Sequence, residues 1–191
     1  MDNSTNKIRV SYSTLKNWEQ GRWQEVINHM LHKVDPLSTP QMQEGTKFHQ
    51  EWADYINRYK RLPEVFGPKK LKDPKTEIRM VSNLEPWLDL SGVIDCLDDT
   101  TVYEFKTGIK TSEGYASLMQ TRVYGLLCSL NGIEIDRAII NHYNQYLKES
   151  DSSMVWITQR AIDHAREWAV TVGSEIYSYF SDNGLFLTYK L

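Results

Sequence analysis

Apolar residues recur along this chain in two rhythms, one suited to helices and one to strands. Leu15, Trp18, Trp23, Val26, Ile27 and Met30 follow the N-cap candidates of the segment Ser11-Tyr12-Ser13-Thr14-Leu15. This predicts a first helix running to about Met30 and interrupted by Pro36 and Pro40. A second helix is expected over 41–59, with Phe48, Trp52, Tyr55 and Ile56 on one face. The stretch 61–75, rich in proline and lysine, reads as a solvated loop with the option of facing DNA. Shorter apolar runs then predict strands over 76–82, 87–97 and 101–107. A helix over 112–130 ends at Asn131-Gly132, a good C-cap signal. Two more strands, 137–146 and 154–158, are separated by a polar turn at 148–153. The last helix, 160–180, stacks Ile162, Ala165, Trp168, Ala169, Val172 and Ile176 on one stripe. The order ααβββαββα implies an α/β or α+β fold, a mixed sheet flanked by helices, in one domain over 1–191. The strand after the crossover helix is expected to pair parallel.

The two middle strands carry the chemistry. They read Leu90-Ser91-Gly92-Val93-Ile94-Asp95-Cys96-Leu97 and Val102-Tyr103-Glu104-Phe105-Lys106. A two-residue turn at Asp99-Thr100 pairs Asp98 with Thr101, Leu97 with Val102, Cys96 with Tyr103 and Asp95 with Glu104; a four-residue loop gives the same register, whereas a three-residue loop shifts it. Opposed residues share a face with Cβ atoms roughly 4.5–5.5 Å apart, and Lys106, two residues beyond Glu104, joins them. Two carboxylates placed together are destabilising unless something compensates. A divalent cation would do so. A salt-bridge cluster of Asp95, Lys106 and Glu104 at a sheet end fits the hairpin equally well.

Composition narrows the setting. The formal net charge of −3 lowers the prior for a passive DNA-coating protein, because any nucleic-acid contact must use a local positive patch. The 11 Tyr and 6 Trp serve a core or base stacking, and composition does not separate the two. Cys96 and Cys128 form no C-x-x-C pair and read as buried thiols in a reducing compartment. No apolar run approaches the ~18 residues of a membrane span, and the first residues lack a secretory core. A cytoplasmic protein without membrane contact is expected.

Several further residues mean little singly. His49 lies four residues after Gly45, on the same helix face, and Gly45 would let that helix approach the sheet closely. Glu77 is either a surface charge or a neighbour of the acids. Gln120 and Tyr124 stack on one side of the helix after the hairpin.

In order, Gly45-Thr46-Lys47-Phe48-His49, Gly92-Val93-Ile94-Asp95, Glu104-Phe105-Lys106 and Gln120-Thr121-Arg122-Val123-Tyr124 resemble the four motifs of the PD-(D/E)XK nuclease superfamily in its RecB-like exonuclease branch. Lys106-Thr107-Gly108 and the opening Ser11-Tyr12-Ser13 are similar to that branch as well. The resemblance implies a restriction-endonuclease-like core and metal-dependent DNA hydrolysis, and a single compact domain without an obvious specificity module suggests low sequence specificity. It implies Mg²⁺ or Mn²⁺ held by His49, Asp95, Glu104 and the Phe105 carbonyl, with Lys106 as the catalytic amine. Gln120 and Tyr124 would orient the site, and Lys110 and Arg122 are weaker candidates for phosphate contact. The implied partners are DNA, single-stranded or at duplex ends, and proteins of recombination, repair or CRISPR adaptation. Some relatives carry four cysteines for an iron–sulfur cluster; with only Cys96 and Cys128 here, no iron–sulfur cluster is expected. The competing readings are a nuclease fold that has lost activity and serves as a DNA-binding or assembly module, and an unrelated α/β interaction protein.

Overall fold

The computed structural model describes residues 6–32, 40–187 and 189, so Pro36 lies outside the described residues. The elements run β1 (Ile8–Ser11), α1 (Tyr12–Glu19), α2 (Trp23–His32), α3 (Pro40–Tyr59), β2 (Lys75–Glu85), β3 (Leu88–Asp98), β4 (Thr101–Thr107), α4 (Ser112–Ala116), α5 (Gln120–Leu130), β5 (Arg137–Asn144), β6 (Glu149–Trp156) and α6 (Gln159–Asp182). Single 3-10 turns lie at Glu64–Phe66 and Leu185–Leu187. The architecture is the expected mixed α/β one, a six-stranded sheet between helices. Among the described residues no helix is long and apolar enough to cross a membrane.

Three differences from the expected order have local causes. Strand β1 is too short to show a period, yet it buries Ile8 and Val10 and pairs parallel with Leu88–Ser91. The first helix is two helices, because Gly21 adopts φ +77 and lets the chain turn after Gln20. Ser11 caps the first of them, its Oγ accepting from the Thr14 amide at 3.2 Å. The helix expected over 112–130 also divides, into α4 and α5, with Ser117 closing the first and Gln120 opening the second.

Two further expectations need correction. The polar residues from Glu149 onward are strand rather than turn: Asn141 faces Ser152, His142 faces Asp151 and Tyr143 faces Ser150. A strand at the sheet edge needs no apolar alternation, and side-chain bonds such as Ser152 to Asn141 (2.8 Å) replace it. The lysine-rich segment after α3 is not simply solvated. Leu62 and Leu71 are buried, Lys69 Nζ donates to Tyr103 Oη at 2.6 Å, and Ser150 Oγ donates to the Val65 carbonyl.

Helices α5 and α6 pack on one face of the sheet over the larger core, which holds Leu88, Leu90, Ile94, Leu97 and Val102. Helix α3 packs on the other, where Trp52 and Ile56 meet Cys96, Tyr103 and Phe105. The α5 contact is close at Gly125, where a Cβ would sit 2.5 Å from Ile157 Cγ2 and 3.5 Å from Ile162 Cγ1. Gly125→Ala should therefore lower unfolding free energy by about 1–2 kcal/mol, overpacking outweighing the helix-propensity gain of alanine. Urea denaturation checks this, and a stabilised variant would show that Ile157 moves aside at no cost.

The feature that positions the site is the edge of β3. Its β2 side is paired along nearly its whole length. Its other side is shared by two short partners: β1 covers Leu88–Ser91 and β4 covers Cys96–Asp98. Gly92, Val93, Ile94 and Asp95 therefore lie between the ends of two strands, with no ladder partner on that edge among the described residues.

Candidate metal centre

The hairpin register is the expected one as far as Cys96 opposite Tyr103, after Leu97–Val102 and Asp98–Thr101. The ladder then stops one pair short of Asp95 and Glu104. In place of a backbone partner, the Phe105 amide donates to Asp95 Oδ2 at 2.7 Å. The acid that was expected to sit directly opposite Glu104 thus caps the broken ladder. Its other oxygen, Oδ1, lies 3.3 Å from His49 Nδ1 on α3. The approach of α3 depends on Gly45, where a Cβ would stand 3.1 Å from Thr107 Oγ1.

Glu104 is buried and faces α5. Its Oε1 accepts from Lys106 Nζ at 2.6 Å and from Gln120 Nε2 at 2.8 Å, while Gln120 Nε2 also donates to Tyr124 Oη at 2.7 Å. Gln120 and Tyr124, stacked one turn apart, thereby fix the carboxylate from the helix side. Among the described residues, Glu104 Oε2 is buried with no hydrogen-bond partner. A buried carboxylate oxygen left bare is costly, and a cation bound there would offset that cost.

Glu77, which the sequence leaves open between a surface charge and a neighbour of the acids, joins the group. Thr76 and Ile78 pair with Cys96 and Ile94, which leaves Glu77 opposite Asp95 with φ +52, a left-handed conformation that L residues rarely adopt in a strand. Side-chain alternation slips here: Ile94 and Leu97, three apart, both enter the larger core, whereas Cys96 enters the smaller. His49, Glu77 and Asp95 each bring one ligand atom to within 4.8 Å of the others. Glu104 stands beside this group rather than within it. Backbone strain of this kind costs about 1–3 kcal/mol and persists where the surroundings over-determine it.

The electrostatics reflect three acids against one ammonium. Burial, then the charge of Asp95, pushes Glu104 up to about 7 against the opposing pull of Lys106. Glu77 is raised by its partial burial and then by Asp95. Burial opposes charge on His49, but the hydrogen bond and charge of Asp95 outweigh it, and its pKa is raised. Burial likewise opposes charge on Lys106, and Glu104 followed by Asp95 overcomes it, so the amine stays protonated. Tyr124 is raised by burial and then by Glu104, which keeps it a phenol. Imidazole, carboxylates and a bare carboxylate oxygen form a donor set suited to a hard divalent cation.

Other expected residues fall nearby or elsewhere. The Phe105 ring lies in the smaller core while its backbone borders Asp95. Lys110 is exposed, its Nζ 5.9 Å from the Tyr115 ring centre. Arg122 turns toward α6, Nη1 lying 3.2 Å from His164 Nδ1. Tyr12, at the start of α1, feels both Lys106 and Glu104, although burial is the larger cause of its raised pKa. Cys96 and Cys128 are both buried free thiols.

No protein-family model matches this chain, and no curated protein matches it. Solved structures do match in fold. An alkaline exonuclease, LHK-Exo from Laribacter hongkongensis, aligns with TM-score 0.60 over 94% of this chain and 94% of its own, at 14% identity. LHK-Exo in complex with dAMP aligns with TM-score 0.55 over 92% and 93%, at 15% identity. A phage-related exonuclease from Haemophilus somnus 129PT aligns with TM-score 0.58 over 93% and 96%, at 12% identity. The fold is shared with these exonucleases almost end to end.

Proposed function

We propose that the chain is a metal-dependent deoxyribonuclease of the RecB-like PD-(D/E)XK type, hydrolysing DNA phosphodiester bonds from ends with low sequence specificity. One observation carries the reading: the Glu104–Lys106 pair beside His49, Glu77 and Asp95, with Glu104 Oε2 buried and bare. Fold likeness to exonucleases, one of them complexed with dAMP, supports it.

His49, Glu77, Asp95 and Glu104, with the Phe105 carbonyl, would hold Mg²⁺ or Mn²⁺. When bound, the ion supplies Lewis-acid polarisation of the scissile phosphate and acidifies a water. The residues of the chain do the rest. Lys106, held protonated by Glu104, places a fixed positive charge beside the phosphate, where negative charge develops during attack. Gln120 anchors Glu104 through Oε1 and so keeps Oε2 directed to the site. Tyr124 closes the helix side as a neutral phenol. Asp95 is immobilised by the Phe105 amide, which limits reorganisation as charge moves.

The test compares linear and circular, single- and double-stranded DNA with Mg²⁺, Mn²⁺ or EDTA. Degradation of at least one linear substrate is expected with metal, and none in EDTA. DNA binding without cleavage under every metal condition would instead favour an inactive binding or assembly module.

A further inference from the structure

A cleft of about 410 Å³ lies next to Lys106, whose Nζ is 5.8 Å from the ring of Tyr115. Lys16 of α1, the Thr107–Lys110 loop, Tyr115, and Gln145 and Tyr146 of the β5–β6 turn line it. Its cations lack partners of opposite sign: among the described residues, no carboxylate lies within 4.0 Å of Lys16 or Lys110 Nζ. Lys110 instead lies 5.9 Å from the ring of Tyr115, which Lys106, itself paired with Glu104, also approaches at 5.8 Å, and Lys16 lies 5.9 Å from the Tyr12 ring. Burial lowers the pKa of Lys16, and Lys110 and then Lys106 lower it further. Glu44 reaches Gln145 on the cleft lining (Gln145 Nε2 to Glu44 Oε2, 2.8 Å), but Lys16 and Lys110 have no ion-pair partner among the described residues, and within a chain of net charge −3 this local positive patch suits an anion from outside.

The apolar groups beside them narrow the class of anion. Ile109 is 84% exposed and Tyr146 63% exposed, both lining this cleft. Duplex DNA offers phosphates to lysines but keeps its base faces stacked and has no use for such side chains. An unpaired strand offers both phosphates and bare base faces, and a cationic groove with aromatic platforms is the arrangement that holds it.

We propose that this cleft binds an unpaired polynucleotide strand, with phosphates against Lys16 and Lys110 and a base against Tyr146 and Ile109. The inference deepens the nuclease reading and rests on it. It makes the strand leaving or approaching Lys106 single-stranded on this side of the cut.

The experiment measures fluorescence anisotropy of a short labelled oligothymidylate in EDTA, where no cleavage intervenes. The Lys16→Glu/Lys110→Glu double variant should bind about tenfold more weakly, with a salt slope shallower by roughly 1.4 for two lost phosphate contacts. Tyr146→Ala should weaken the oligothymidylate about tenfold and leave a blunt hairpin duplex nearly unchanged. Lys70→Glu, which lies outside the cleft, should bind as wild type does. Unchanged affinity in the cleft variants, or equal losses on duplex and single strand with Tyr146→Ala, would overturn the proposal. Wild-type cleavage with metal alongside unaffected binding by the cleft variants removes this inference and spares the nuclease reading. Cleft-dependent binding by a chain that never cleaves does the reverse.

Discussion

Lys106→Ala is expected to slow metal-dependent cleavage of linear DNA by about 10²–10³-fold, the usual cost of removing one preorganised charge-stabilising donor. The side chain is 20% exposed and its amine lies 2.6 Å from Glu104 Oε1. Its removal leaves Glu104 with Gln120 alone, in a place that already raises its pKa to about 7 through burial and then Asp95. The orphaned acid then takes up a proton instead of unfolding the chain, so the variant should remain folded. Lys106→Met, of similar volume and no charge, should lose as much activity. Lys106→Arg should not restore it, because a planar fork replaces a compact point charge. Single-turnover rates with Mn²⁺, read beside a thermal melt, give the answer. A rate within a few-fold of wild type in a folded Lys106→Ala protein removes the lysine from the mechanism.

The second large effect is a steep pH dependence of metal affinity. Glu104, Glu77 and His49 all have raised pKa values, so the metal-free native state binds protons that the unfolded chain releases. The stabilisation from protonated Glu104 is complete below its ordinary value of 4.5 and is lost as pH climbs through about 7. That from His49 is present below 6.5 and is lost as pH climbs through its raised value. Metal-free stability should therefore fall as pH rises across this window. A cation must displace the same protons, and each one displaced strengthens its apparent affinity about tenfold per pH unit. Below about pH 7, one to two protons are expected, giving about ten- to a hundredfold per unit. Calorimetric Mn²⁺ titrations at about pH 5.5, 6.5 and 7.5 measure it, and a dissociation constant that stays flat would exclude His49 and Glu104 as ligands.

The sequence made much of this visible where chemistry and local periodicity coincide. The turn at Asp99-Thr100 and the apolar runs around it set the register of Asp98, Leu97 and Cys96 against β4. The four-residue spacing of Gln120 and Tyr124 placed both on one side of α5, where they meet at Glu104. What stayed hidden is long-range or irregular. Ile8 and Val10 are too few to announce a strand whose partner is some eighty residues away in β3. The break between β3 and β4 arises because Asp95 itself occupies the Phe105 amide, a side-chain substitution that period-two reasoning does not contain. Glu77 looks like any charged residue in a half-exposed strand. Only its positive φ opposite Asp95 brings it to His49.

The shared edge of β3 also bears on when the centre comes into being during folding. One side of the opening is closed by β1, the other by β4, and the groups that face it come from α3, β2, β3, β4 and α5. Contacts so widely separated along the chain form late, after loop-closure entropy has been overcome. A half-synthesised or partly collapsed chain holds these acids and this amine scattered. Whatever hydrolytic power the finished molecule has is withheld until these five elements have come together.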